Sequence, residues 1–479
     1  MELFPYNLVL LLPLVFLPLY FLVKFSHQNK HSTPPGPPKL PIIGNLHQLG
    51  KPPRHILHKL SQKYGPVMLL QLGSVPTVVI TSAEAAEQVL KTYDLDFCTR
   101  PPFAGPKRLT YNYLDIAFGP YCEYLIEMRK LCFLHLLSMK RVQSFAVIRE
   151  EELSLMIDSI SNFTDPIDLF KMLISLTDEI LSRIAFGKTF QSRDELSDGR
   201  LQEILYETMP DPVLNGFSAS DFFPSVGWIF NRITGVYGRI EKSFHDFDEF
   251  FQQIIDLHLS LERNKSEHKD LIDVLLKIKD GSSTVRLTND HIKAVLLDAF
   301  LAGVDTSAVT MNWAMVELAR NPDAMKKVQG EIRNYVGTAK GKVEESELGQ
   351  FLYLKMVVKE TLRLHPPGPL LLPRECTKHH VISGYDVYPN TRILINAWAI
   401  GRNPEYWDKP DQFIPERFED FSIDFTGGQY SDPTDKILIS YLSLGGGRRS
   451  CPGMNMAPIS MELILANLLY CFNWELPKA

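Results

Sequence analysis

One cysteine sits in an unusual loop, Leu444-Gly445-Gly446-Gly447-Arg448-Arg449-Ser450-Cys451-Pro452-Gly453. Glycines let a backbone approach a ligand closely or take positive φ. Here they crowd Cys451, with two arginines beside it and an apolar helix expected from Met456 to Tyr470. Nearby N–H groups, the arginines and the helix N-terminus favour thiolate over thiol. A lone thiolate in such a nest suits a soft metal or a haem iron. Zinc is disfavoured, because no second cysteine or nearby histidine supplies its other ligands. A phosphate loop is disfavoured because the Gly-Lys-Ser/Thr ending is missing. The same residues also read as an ordinary glycine-rich turn, and local chemistry leaves both readings open.

A second group is Ala302-Gly303-Val304-Asp305-Thr306-Ser307, midway along an expected helix that begins at Thr288 and ends before Asn321-Pro322. Glycine inside a helix costs up to ~1 kcal/mol relative to alanine. Threonine can hydrogen-bond back to a carbonyl and loosen the ladder. Together they permit a bulge that admits a small ligand or water, and the adjacent acid and hydroxyl could pass protons inward. The alternative is a packing glycine beside a solvated aspartate. A third group is Glu360-x-x-Arg363, whose members share a helix face and can pair. Arg417, in Pro415-Glu416-Arg417-Phe418, could complete a buried charge triad.

These groups need a scaffold. Val67–Leu72 and Thr77–Ile80 flank Gly73-Ser74 as a β-hairpin. Thr81-x-x-Glu84 reads as a capping box opening the next helix. Helical periodicity dominates from about Tyr121 to Leu276, and a further helix ends at Leu364 before Pro366-Pro367. Val381–Tyr388 and Thr391–Asn396 read as a second hairpin, followed by a long irregular stretch from Arg402 to Leu444. The expectation is one predominantly helical α+β domain over residues 46–479, with a long central helix and small sheets.

Hydrophobic residues make up 45% and charged residues 22%, which permits a large core. The net charge of −6 argues against a nucleic-acid partner. Six cysteines are too few for a disulfide scaffold and read as separate thiols in a reducing compartment. Leu3 to Val23 is apolar except for Asn7, long enough to span a bilayer, and the first alanine is Ala83, so a cleavage site is not expected. Lys24, Lys30 and Lys39 follow it, which places the rest of the chain in the cytosol. Residues 1–24 are therefore read as a membrane anchor and 25–45, with Pro34-Pro35-Gly36-Pro37-Pro38, as a stiff hinge.

In content and order these motifs resemble the cytochrome P450 haem-thiolate monooxygenases. Anchor and hinge look like the microsomal type on the endoplasmic reticulum. Asn396–Arg402 and Pro415–Phe418 resemble the plant A-type branch, and Leu109–Tyr121 leans toward its aldoxime-oxidising members. The resemblance implies haem b with Cys451 as axial iron ligand and electrons from NADPH through a partner reductase. It implies that Arg449, Arg374 and Arg129 bind the haem propionates, and that Gly445, Gly447 and Gly453 shape the loop. It implies proton delivery by Asp305 and Thr306, room over the iron at Ala302 and Gly303, and a proximal brace of Glu360, Arg363 and Arg417. The implied activity inserts one oxygen atom from O2 into a small lipophilic secondary metabolite. Substrate contacts are expected from Pro101–Phe118, Thr208–Ile240, Phe300–Ala302 and Pro369–Leu372.

A basic proximal patch of Arg129, Lys130, Lys140, Arg141, Arg448 and Arg449 would dock an acidic reductase. Three features depart from the family pattern. Leu444 replaces a phenylalanine near the sulfur, Leu125 replaces a tryptophan that donates to a propionate, and members usually continue past Ala479 into a pocket-lining hairpin. Two other readings therefore stand beside the first. One is a haem-poor, membrane-anchored binding protein, and the other a non-oxygenating isomerase or dehydratase of the same fold.

Overall fold

The computed structural model describes residues 32–50, 52–187, 201, 203, 204, 208, 217–260, 270–280, 286–337, 340–419 and 441–476. The expected anchor lies outside them, as does most of the irregular stretch before Tyr441.

Strand β1 (Val67–Leu72) pairs antiparallel with β2 (Val75–Ile80) across Gly73, whose φ is +62°. Met68, Leu70 and Leu72 pack with Leu57 of the preceding helix, while Val67, Val78 and Ile80 face a second apolar cluster. Strands β3 (Arg374–Glu375) and β6 (Arg392–Ile395) complete a sheet of order β1-β2-β6-β3, in which β2 and β6 run parallel.

The expected second hairpin is thus corrected. Its first half folds on itself as β4 (His380–Ile382) and β5 (Tyr385–Val387), turning at Ser383 (φ 48°) and Gly384 (φ 85°). Two consecutive positive-φ residues make the tight turn that matches strand twist, and this frees β6 to join the first sheet. The helix cap also shifts by one residue. Ser82, not Thr81, accepts from Ala85 N, because the Thr81 hydroxyl donates to Pro66 O.

The proline hinge is docked on the body. Leu69 N donates to Pro35 O at 2.9 Å, and Asn45 Nδ2 donates to Pro38 O at 3.1 Å. A Cβ on Gly36 would fall 2.0 Å from Leu69 O, so only glycine lets the hinge lie this close to β1.

Six helices position the site. They are α1 (Glu123–His135), α2 (Leu169–Phe186), α3 (Val236–Leu259), α4 (Asn289–Arg320), α5 (Leu352–Leu364) and α6 (Met456–Cys471). The 32 residues of α4 span about 48 Å at 1.5 Å each. Helix α4 is capped by Thr288 with His291 and is buried on several sides, packing on α2, α3, α5 and α6. This apolar envelope marks a core helix. Among the described residues it is also one of two helices apolar and long enough for a membrane span, and both lie more than half inside the core.

Candidate active site

The Cys451 loop leaves the core at Leu442 and folds back through Gly445 N to Leu442 O (2.9 Å) and Cys451 N to Leu444 O (3.0 Å). Gly445 and Gly447 both have positive φ, +72° and +67°. At Gly447 a Cβ would also lie 2.2 Å from Leu90 O and 2.5 Å from Asp94 Oδ1, so any side chain there would displace the loop. A Cβ on Gly453 would sit 3.8 Å from Cys451 Sγ, an ordinary contact, so space alone does not demand glycine there.

Burial pushes the Cys451 thiol above its usual range, opposed by the Gly453 N–H and by Arg129. The expected support from neighbouring arginines is corrected. Arg448 turns to Asp94 and Tyr121, and Arg449 donates to the carbonyls of Cys98, Ile116 and Gly119. The helix N-terminus is also displaced, since a 3-10 turn over Pro452–Asn455 precedes α6.

Along α4 the helix is continuous, with no bulge at Ala302–Ser307. Ala302 is exposed although Phe300 and Val304 on either side are buried. A gap therefore opens beside Ala302 in the middle of a core helix. Thr306, one turn on and on the same face, donates its hydroxyl to Ala302 O. Asp305 is half-buried, and that burial raises its carboxyl above the usual range.

Gly303 differs from expectation. A Cβ there would meet Leu181 Cδ1 of α2 at 2.7 Å, and Thr177 of α2 donates to Val304 O at 3.2 Å. Successive helix residues point about 100° apart, so Ala302 and Gly303 serve different faces. Ala302 keeps the gap open, while Gly303 lets α2 pack close. Phe300 likewise stacks on Phe186 in the core, with ring centroids 5.1 Å apart, and does not line the gap.

The arginines converge. Arg374 donates to Asp94 Oδ1 (2.8 Å) and Gly446 O (2.7 Å), and Arg129 to Ser450 O (2.9 Å). Arg100, which sequence reasoning missed, is buried and donates to Ala117 O, Leu372 O and Pro373 O. Burial lowers the pKa of all four, and the charges of Arg374, Arg449 and Arg129 lower Arg100 further. Arg449 falls to about 10. Asp94, also missed, is the hub that accepts from Arg374, Arg448 Nη1 and Arg448 N. A Pro-Pro pair after Arg100 was the sole local mark of either residue.

Glu360 and Arg363 are fully buried and joined by two bonds, 2.6 and 2.7 Å. Arg417 Nε reaches Glu360 Oε1 at 3.3 Å, and Ile414 N donates to the same oxygen at 2.9 Å. Arg363 also donates to Gly401 O, Pro410 O and Gln412 O. The triad thus ties α5 to the Arg402–Phe418 segment.

His55 and His58 pack on Trp398, with ring centroids at 4.4 and 5.7 Å. Cys98, Cys132 and Cys376 are buried, whereas Cys122 is exposed at the start of α1. The expected basic patch shrinks, because Arg449 is buried and Arg129 bonds inward, while Lys130, Lys140 and Arg448 stay exposed.

A buried cluster with more arginines than acids, next to a deep-set cysteine and a gap in a core helix, fits a flat dianionic macrocycle. The two haem carboxylates would balance the surplus charge, and a thiolate is a haem-iron ligand. A family model described as Cytochrome P450 matches residues 34–479. The chain belongs to the cytochrome P450 monooxygenase family.

Among curated relatives, Cytochrome P450 71B35 of Arabidopsis thaliana is 48% identical over 476 residues, covering 98% of this chain and 92% of the relative. A 2-methylbutanal oxime monooxygenase of Manihot esculenta is 43% identical over 473 residues, covering 98% of this chain and 90% of the relative. A solved zebra fish cytochrome P450 with progesterone superposes with a TM-score of 0.74 at 25% identity, covering 90% of this chain and 94% of that one. These relatives place the chain beside the plant A-type branch.

Proposed function

We propose that this chain is a haem-thiolate monooxygenase that oxidises a small lipophilic plant metabolite, using O2 and two electrons from an NADPH-dependent reductase. The supporting observation is the four-arginine cluster beside Cys451. When bound, haem b supplies the iron at which dioxygen is activated. Cys451 would hold that iron, and Arg100, Arg129, Arg374 and Arg449 would hold its carboxylates. Leu125 is buried and brings no donor, which stands, with Leu444 in the cysteine loop, on the side of a haem-poor binding protein. Near-unit haem per polypeptide in purified protein excludes that reading.

Asp305 and Thr306 are proposed to deliver protons. A carboxyl raised by burial keeps its proton to higher pH than usual and can release it toward the Thr306 Oγ atom. Thr306 donates to Ala302 O in the resting arrangement and keeps its lone pairs available to accept. Replacing Thr306 by Ala is expected to lower product formed per NADPH consumed by ~10-fold or more, the lower range for general acid–base groups being about 100-fold. NADPH oxidation should continue and release hydrogen peroxide. The substrate search belongs with aldoximes first, as one relative is named an oxime monooxygenase. Unchanged coupling in the variant counts against the proton route.

We also place the domain on the cytosolic face of the endoplasmic reticulum membrane, with Lys130, Lys140 and Arg448 toward the reductase. Trp228, Ile229, Phe230 and Ile233 on the short helix Gly227–Ile233 are exposed, Ile233 at 77%. Ile42, at 84%, lies nearby, since Ile43 O binds Gly73 N and Phe222 O binds Ser74 N. Exposed apolar residues flanking the docked hinge suit a bilayer surface. With the full chain in vesicles of bromine-labelled lipid, tryptophan emission should be quenched. Trp228→Phe should remove most of the quenched fraction, and equal quenching in the variant refutes this orientation.

A further inference from the structure

One pair of acids remains without a role. Asp298 lies on α4 one turn before Ala302, and Asp115 lies in the loop that precedes α1. Asp115 is buried and Asp298 is half-buried, and their carboxyl groups are in hydrogen-bonding contact. Asp298 Oδ2 accepts from Ile116 N at 2.7 Å and Ala117 N at 3.3 Å. Asp115 Oδ2 accepts from Phe118 N at 2.6 Å. Asp115 Oδ1 is buried and, with both groups ionised, has no partner among the described residues. Two ionised carboxylates in contact at this depth would repel, whereas one shared proton gives the orphan oxygen a partner.

The same strip of chain turns its carbonyls the other way. Ile116 O and Gly119 O accept from Arg449, and Ala117 O accepts from Arg100 Nε. Its amides thus end on acids and its carbonyls on arginines.

We propose that Asp298 is a positioning residue that holds the strip Ile116–Gly119 by its amides, so that the strip's carbonyls fix Arg100 and Arg449 in the anion-binding cluster. The inference rests on the cluster being the seat of the haem carboxylates, but the grip on the strip is measurable without that premise.

Burial raises Asp298 well above the ordinary carboxyl range and raises Asp115 as well. The groups facing the pair are Tyr113 of the loop, Tyr124, Arg129 and Cys132 of α1, and Arg100 and Arg449. The sign follows. The folded state keeps a proton that the unfolded chain releases near its ordinary value of 3.8, so the pair's contribution is complete below that pH. It declines as pH rises toward the folded value and is gone above it.

The test uses the purified full chain, followed by amide hydrogen-exchange protection at Ile116, Ala117 and Phe118, each rate divided by its base-catalysed intrinsic rate at the same pH, and by haem transfer to apomyoglobin, both across neutral to alkaline pH. The wild type should lose protection at these amides and lose haem faster as the proton leaves, and this loss of protection is the alkaline rise compared below. Asp298→Asn supplies an N–H to Asp115 Oδ1 and keeps an acceptor for the amides without any proton. It should match wild type at neutral pH within about twofold and lose the alkaline rise. Asp298→Ala should exchange at Ile116 and Ala117 about tenfold faster, the scale of one buried hydrogen bond, and should release haem faster.

Wild-type exchange in Asp298→Ala, or an alkaline rise preserved in Asp298→Asn, overturns the proposal. If the alanine variant fails to fold, the pH profile of the asparagine variant decides alone. Altered exchange with unaltered haem release would retain the grip on the strip and overturn its link to the arginines. Wild-type protein that binds no haem at all would refute the functional reading and leave the exchange result standing.

Discussion

Replacing Cys451 by Ser is expected to abolish the red-shifted Soret band of the reduced carbon-monoxide complex and to bring turnover to background. Supporting residues around a metal typically cost 10–100-fold when lost, so the ligand itself should cost at least ~100-fold. The fold should survive. Cys451 N still bonds to Leu444 O, and the two positive-φ glycines set the loop without the sulfur. Serine is also slightly smaller, so no overpacking follows. The informative comparison is the band against circular dichroism and the unfolding midpoint. A variant that keeps its midpoint and loses the band isolates the sulfur as the ligand. A band of normal position in the variant ends the haem-thiolate reading. Because burial raises the Cys451 thiol in the free protein, iron binding must release that proton, so haem uptake by haem-free protein should be favoured at higher pH.

The second large effect is expected at Glu360. Replacing it by Gln removes the only charge that Arg363 and Arg417 share among the described residues and leaves Arg363 buried with its positive charge unbalanced. Removing one member of a buried ion pair typically costs ~3–5 kcal/mol. Against a total stability of ~5–15 kcal/mol for a domain, that is a fifth or more. The expected result is little soluble, haem-loaded protein and a large drop in the denaturant midpoint. Arg363→Met alone should be comparably harmful, because Glu360 then loses its bidentate partner while three carbonyls lose their donor. The double variant should be less destabilised than the sum of the two. Additive losses would mean that the pair is not energetically coupled and that each residue acts through its backbone bonds.

The groups most legible in the sequence were those whose spacing is local. Glu360 and Arg363 sit three apart on one helix, and the structure joins them and adds Arg417. The Cys451 loop carries its glycines and cysteine in one run, and α4 announced both ends through Thr288 and Asn321-Pro322. What stayed hidden depends on residues far apart in the chain. Arg100 meets Arg449 only through the fold. Asp94 looks like a solvated acid until the Cys451 loop folds onto it. The parallel pairing of β2 with β6 joins segments separated by most of the chain, so a local hairpin was the natural but wrong expectation for Thr391–Asn396. The Ser82 cap was missed by one residue, because nothing local reveals that Glu84 is taken by the Tyr406 hydroxyl and Thr81 by Pro66 O.

Gly303 against Leu181 has a wider consequence. The wall built from α4 is backed by a contact in which a methyl group at position 303 would have to push aside the tip of the Leu181 side chain, and Thr177 fastens the neighbouring turn. Evolution therefore has little freedom to sculpt a new specificity by thickening or shifting this rod. New diets for such a catalyst must be written into the surrounding ribbons, where a change of side chain disturbs no helix seam.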